Sequence, residues 1–511
     1  MDTNHVLRSR KREIRTVNKM RYLSTRGKAA PVNSAQAVLQ GLAGDRGLFM
    51  PEKLPEIDIE ACLKGSTQDM AETILTAFLP DIPDMKNLVR RGYAGKFETE
   101  DLTPLVQAGP FHVLELFRGP TSAFKDVALS MLPQLLTAAR KVCGVEEEIL
   151  ILTATSGDTG KAALEGFCDV PGTRICVFYP HNGVSAVQRA QMVTQKGRNV
   201  NVCAVRGNFD DAQTGVKNIF TVCREQNLLK GSPFRLSSAN SINIGRLVPQ
   251  LTYYFQAYRD LLEAGTVRMG DPVNFSVPTG NFGDILAGYL AKCLGLPVGK
   301  LICASNANCV LTEFISSGVY DRRRKLLKTL SPSMDILVSS TLERLLYLLS
   351  GGDTALVSGL MNQLEQEGIY RIPEELLKKV QDTFRADFCT DEKTEKVIAE
   401  VYGNTGYLCD PHTAAGWSAA EAYAAQTGDR TPMVVLSTAS PYKFPAAVLD
   451  ALGGDRTGDE FSQMERLHER TGVPVPANLA DLRGREERFS DVIDPDQMLG
   501  YVLGLQKGRE I

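Results

Sequence analysis

Lys125 lies in the run Pro120-Thr121-Ser122-Ala123-Phe124-Lys125-Asp126, which reads as a turn that delivers a lysine to a site. Pro120 fixes φ and stops the preceding strand. Thr121 or Ser122 is placed to cap the helix that follows, which the apolar spacing predicts over 123–142. Lys125 then falls in the first helical turn, where the partial positive charge of the helix N-terminus disfavours an ammonium. A lysine kept neutral there can form a Schiff base with an aldehyde cofactor.

Four further loops carry groups suited to a ligand. Each follows a predicted strand or opens a helix, where open α/β folds bind ligands. Thr153-Ala154-Thr155-Ser156-Gly157-Asp158-Thr159-Gly160 exposes main-chain donors suited to a carboxylate or phosphate. Pro278-Thr279-Gly280-Asn281-Phe282-Gly283-Asp284 places two glycines three apart at a helix start, a phosphate cradle built from main-chain N–H groups. It lacks the Lys-Ser/Thr of a P-loop and the Gly-x-Gly-x-x-Gly of a dinucleotide fold. In Ser237-Ser238-Ala239-Asn240-Ser241-Ile242-Asn243-Ile244-Gly245-Arg246, Asn240 offers neutral donors and Arg246 a charged fork for an anion. Leu436-Ser437-Thr438-Ala439-Ser440-Pro441-Tyr442-Lys443-Phe444 ends a buried strand with a hydroxyl able to face a pyridine nitrogen.

The elements that position these loops alternate. Predicted strands at 111–117, 148–153, 174–178, 200–205, 273–277, 301–304 and 433–437 are separated by amphipathic stretches such as 183–196 and 210–225, the pattern of βαβ units. Several strands are unbroken apolar runs, as expected for parallel strands covered on both faces. The expected organisation is a disordered extension over 1–19 with Met20 as a natural start, then an N-terminal domain over 20–108 that opens with an edge strand at 20–27. An α/β core follows over 109–315 and is rejoined over 393–450. The segment 316–392 reads as a helical insertion whose run Arg322-Arg323-Arg324-Lys325 is a solvated helix face, and 451–511 as a C-terminal cap.

Composition narrows the class. The chain has 511 residues, 43% hydrophobic and 23% charged, with a net charge of -3. That is ordinary for a globular protein and asks for no nucleic-acid partner. The 11 cysteines contain no Cys-x-x-Cys pair and read as reduced thiols of a cytoplasmic protein, and the 5 histidines form no metal-ligand spacing. No apolar run is long enough for a membrane helix, and residues 1–19 lack the apolar core of a signal peptide.

Taken together and in this order, the five loop sequences and the N-terminal strands resemble the threonine synthase family. The resemblance implies an α/β protein of the pyridoxal-phosphate fold type II, with two open, mostly parallel sheets flanked by helices. It implies pyridoxal 5'-phosphate as cofactor and Lys125 as the lysine that binds it. Gly280, Asn281, Phe282, Gly283 and Asp284 match the loop at the cofactor phosphate, Thr438 the hydroxyl beside the pyridine nitrogen, and Asp158 a group at the cofactor ring. Thr155, Ser156 and Thr159 match the substrate-carboxylate loop, while Asn240 and Arg246 are chosen for the substrate phosphate.

The implied reaction converts O-phosphohomoserine and water to L-threonine and phosphate, in a monomer or homodimer. The alternative with the same cofactor is a phospho-lyase or dehydratase that releases 2-oxobutyrate. A non-catalytic scaffold is disfavoured by the intact lysine and cradle. Arg118, Arg46 and Ser440-Pro441-Tyr442 depart from the family pattern, which bears on substrate preference and phosphate contacts.

Overall fold

The computed structural model describes residues 20–155 and 157–505. The expected extension over 1–19 lies outside them, as does Ser156. The chain opens with a small antiparallel sheet of β1 (Arg21–Ser24), β2 (Val32–Asn33) and β3 (Phe49–Pro51), in the order β2-β1-β3. The expected edge strand at 20–27 is therefore the central one. Its two-sided pairing buries Tyr22, whose hydroxyl donates to Phe78 O at 2.6 Å.

Two larger sheets carry the α/β pattern. β4 (Leu105–Ala108) and β5 (Phe111–Glu115) form a hairpin at one side of the main sheet. β6 (Glu148–Ala154), β7 (Thr173–Pro180), β8 (Val200–Val205) and β9 (Phe234–Ser237) build a second sheet. The chain then returns to the main sheet with β10 (Val273–Pro278) and β11 (Val298–Ser305). A short antiparallel pair, β12 (Val319–Asp321) and β13 (Ile369–Arg371), precedes β14 (Phe384–Phe388), and β15 (Met433–Ser437) enters the main sheet late. The main sheet runs β14-β11-β10-β15-β5-β4, parallel except for β4. The second sheet runs β16-β8-β7-β6-β9, all parallel, with β16 being Val492–Ile493. Strands such as Leu150–Ile151–Leu152 are buried on both faces, which is why they read as unbroken apolar runs.

Three expectations change. The helix after the lysine turn is Lys125–Val142 and begins at the lysine itself. No side chain caps it; the Asp126 carboxylate instead turns back and accepts from the Thr121 N–H and hydroxyl at 2.8 and 2.5 Å. Segment 316–392 is not a helical insertion standing apart: it contributes β14 to the main sheet, and its basic run follows β12 in a loop rather than on a helix. There Arg323 and Arg324 pair with Asp321 and Glu313, on an exposed face. The stretch expected as a cap over 451–511 also enters a sheet, through β16.

The helix Lys125–Val142 is buried on nearly every face, between the N-terminal helices and the helix Asp158–Phe167. The approach of the last two is so close that a Cβ on Gly166 would lie 2.0 Å from Leu129 O. Each helix starts with a charged residue, Lys125 and Asp158, so this glycine contact helps to set how those two side chains meet.

Candidate active site

The loops after β5, β6, β9, β10 and β15 converge on one cavity of about 1430 Å³, which Lys125, Asp158, Asn240, Arg246 and Thr438 all line. That volume is ample for a cofactor and a small substrate together. The Thr438 loop is stitched to the lysine turn. Phe124 N–H donates to Thr438 O at 2.9 Å, and Ser440 N–H to Ser122 O at 3.1 Å. The loop after β15 thereby helps to position the turn that leads into Lys125.

Lys125 is 8% exposed. Its Nζ lies 3.7 Å from Asp158 Oδ2 and 4.7 Å from the centre of the Phe124 ring. Burial pushes the ammonium down to about 8; Asp158 opposes this, and Lys443 and Arg246 add to it. The weakened proton affinity expected from the sequence thus has a different main cause: desolvation rather than the helix terminus. Asp158 is also held by Lys443 Nζ at 2.5 Å and by Gln188 Nε2 at 3.0 Å. Burial pushes its carboxyl up, but the two lysines more than offset that and keep it well below the usual carboxylate range.

The loop 280–283 opens the helix Gly283–Cys293, with Phe282 in the left-handed region at φ 67°. That turn directs successive N–H groups toward one point, the geometry of an anion nest. A Cβ built on Gly283 would meet nothing closer than 3.6 Å, so the glycine leaves open space in the cradle. Thr341 Oγ1, 4.0 Å from that point, is buried and has no hydrogen-bond partner among the described residues. Asn281 is steadied by Ser340 Oγ at 3.0 Å. Asp284 directs Oδ1 to the hydroxyls of Tyr253 and Tyr254, at 2.6 and 3.0 Å. A buried amine and a glycine-rich helix start lining one cavity, with an orphan hydroxyl close to that start, fit a phosphate-bearing aldehyde.

The remaining expected residues fall as follows. Thr155 lines the cavity, but its hydroxyl accepts from the N–H groups of Gly157 and Gly160, both at 2.9 Å, and so shapes its own loop. Thr159 and the exposed Asn240 line the cavity. Arg246 is 6% exposed, donates to Ala239 O at 2.7 Å, and has no ion-pair partner among the described residues. Burial lowers it to about 10, still far above neutrality, so it stays a cation. Arg118 turns away to Glu115 and Glu98, at 2.7 and 3.0 Å.

Three residues were missed. Lys443 lies in a loop singled out in the sequence, but its pairing with Asp158 spans two sheets. His412 sits in the run Asp410-Pro411-His412-Thr413, whose only sequence signal is a helix cap with proline at the first turn. Ser333, in the turn Pro332–Met334, has no signal at all.

An α/β crevice with a buried, near-neutral lysine opposite a main-chain anion cradle defines a lysine-centred enzyme site of the aldehyde-cofactor class. Sequence families described as threonine synthase N terminus and threonine synthase C-terminal match residues 21–93 and 413–500. The threonine synthase of Pseudomonas aeruginosa is 42% identical over 92% of this chain and 95% of its own. The PLP-bound threonine synthase structure from Brucella melitensis superposes with a TM-score of 0.84 at 40% identity, covering 96% of this chain and all of that one. The yeast enzyme superposes at 0.85 with 34% identity, covering 95% and 98%. The chain belongs to the threonine synthase family.

Proposed function

We propose that the chain is a pyridoxal-phosphate-dependent lyase that converts O-phosphohomoserine and water to L-threonine and phosphate. The observation that carries this is Lys125 at the focus of the cavity, buried, held by Asp158 and facing the cradle of loop 280–283. Lys125 would bind the cofactor aldehyde, the N–H groups of Gly280, Asn281, Phe282 and Gly283 its phosphate, and Thr438 would stand at its ring nitrogen. Bound pyridoxal phosphate supplies the electron sink for the charge that develops at the substrate carbons.

The protein's own part is proton traffic and anion binding. Lys125, with its affinity for protons lowered to about 8, can take a proton at Nζ and return it near neutral pH. Asp158 stays ionised beside it and steadies the ammonium. Arg246 and Asn240 receive the substrate phosphate, and the donors they fix favour its departure from Cγ. Thr155, Ser156 and Thr159 form the loop for the substrate carboxylate, and the walls of the cavity limit the water that can reach Cβ.

We read the enzyme as acting on a small molecule in the cytoplasm, as a monomer or homodimer. Among the described residues no disulfide is formed, and no described helix is long and apolar enough to cross a membrane. The binding test is an absorbance titration with pyridoxal phosphate. A visible band that Lys125→Ala abolishes supports the assignment; a band of equal strength in that variant contradicts it.

A further inference from the structure

Two residues reach Lys125 or its partner Asp158 from stretches that carry no motif. Ser333 Oγ donates to Asp158 Oδ2 at 3.1 Å and stands 3.4 Å from Lys125 Nζ, nearer than the carboxylate oxygen at 3.7 Å. The Ser333 main-chain N–H donates to His412 Nε2 at 3.2 Å, and His412 Nδ1 lies 2.6 Å from Asp410 Oδ2. His412 and Asp410 are both buried. Because Nε2 accepts, the ring proton sits on Nδ1 and is donated to Asp410.

The order Asp-His-Ser suggests a nucleophile relay, but the geometry is different. The imidazole meets the serine's main chain, and the serine hydroxyl has committed its hydrogen to Asp158. A hydroxyl so committed offers a neighbouring amine only lone pairs. Toward Lys125 it is an acceptor, and it favours the ammonium over the free amine.

The charged groups around Nζ include Asp158 from the helix Asp158–Phe167, Lys443 from the turn Pro441–Lys443, Arg246 from the helix Ile244–Leu247, Asp284 from the helix Gly283–Cys293 and Asp126 on its own helix. Burial and the two cations favour the amine, so the ammonium depends on the nearby carboxylates, Asp158 above all, and on Ser333. The strap that carries Ser333 is pinned at three points. His412 holds the Ser333 N–H. Asp335 Oδ1 accepts from Asn306, Asn308 and Thr329 at 2.8 to 2.9 Å. Ser339 Oγ donates to Gly280 O at 3.0 Å, which ties the strap to the cradle.

We propose that Ser333 is a positioning residue for the proton transfers of Lys125, holding the ammonium form, and that the Asp410–His412 pair fixes Ser333 where it can do so. This rests on Lys125 as the reacting amine. A proton that arrives on Nζ is held there between Ser333 Oγ and Asp158, and it leaves from the same atom.

The test is competitive acetylation of the full-length, cofactor-free chain across a pH series, read on the Lys125 peptide by mass spectrometry. The Ser333→Ala midpoint should fall by about one pH unit, the size of a single charge-assisted hydrogen bond, and Ser333→Thr should restore it. In the loaded enzyme Ser333→Ala should lower kcat about tenfold, leave KM within about twofold, and move the optimum of kcat to lower pH. His412→Leu should move the midpoint the same way. His412→Gln, which keeps an acceptor for the Ser333 N–H, should hold the wild-type value and covers the case in which the leucine variant does not fold. An unmoved midpoint in Ser333→Ala overturns the proposal, and a shifted one in His412→Gln overturns the role given to the pair. The labelling uses neither substrate nor cofactor. A failure of the threonine-forming reading therefore shows in the product assay, and a failure of this link shows in the labelling.

Discussion

Lys443 Nζ lies 2.5 Å from Asp158 Oδ1, and the other oxygen of the same carboxylate lies 3.7 Å from Lys125 Nζ. One buried anion is thus shared between two buried lysines, one of which is the reacting amine. Lys443 keeps Asp158 ionised and, by repulsion, weakens the hold of Lys125 on its proton.

Lys443→Met should therefore act on Lys125 without touching it. Relieved of a nearby cation and given the whole of Asp158, Lys125 should hold its proton to a higher pH than about 8. The rising limb of kcat should move up by about one pH unit. Removing one member of a buried pair should also cost about 3 kcal/mol of stability. A pH–rate profile and a denaturation curve check the two effects separately.

Asp284 gives a pH prediction with the opposite chemistry. Burial pushes its carboxyl up to about 6, against the two tyrosine hydrogen bonds, and its Oδ2 is buried with no partner among the described residues. The folded state therefore holds a proton that the unfolded chain releases near 3.8. Stability from this group is greatest below the lower value, falls as pH rises from 3.8 to 6, and is fully lost above. Asp284→Asn should raise stability at pH 7 by about 3 kcal/mol, and the gain should vanish near pH 4. Melting temperatures at the two pH values decide it; a variant that melts lower at neutral pH contradicts the account.

Arg246 is a buried cation with no ion-pair partner among the described residues. If it receives the substrate phosphate, Arg246→Ala should raise KM for O-phosphohomoserine by about tenfold or more. Arg246→Lys should recover only part, since an ammonium lacks the fork. Steady-state kinetics with an unchanged KM would remove Arg246 from the phosphate site.

The packing under the site can be tested at Gly166. Its Cβ would meet Leu129 O at 2.0 Å, and backbone cannot step aside as a side chain can. Gly166→Ala should part the helices that begin at Lys125 and Asp158, costing about 1–3 kcal/mol and lowering kcat. Thermal unfolding and kcat should fall together.

These cases mark what the sequence could reveal. Local chemistry was legible: glycines at a helix start, a strand-ending threonine and a lysine after a proline turn each follow from near neighbours in the chain. The resemblance supplied their common purpose. What was not legible is pairing across long separations. Lys443 and Asp158 lie 285 residues apart, and the Ser333–Asp158 bond spans 175. No spacing rule reaches that far. The segment 316–392 read as an insertion because its helices interrupt the alternation, yet β14 completes the sheet and the strap reaches Lys125. The cap forecast for Thr121 or Ser122 failed because the helix starts at Lys125, which puts Phe124 in the cap position and leaves Thr121 to donate to Asp126.

The most direct measurement is the product balance when the protein, loaded with pyridoxal phosphate, meets O-phosphohomoserine. The account predicts threonine and phosphate in equal amounts, with neither formed by Lys125→Ala. Phosphate accompanied by 2-oxobutyrate and no threonine would contradict it.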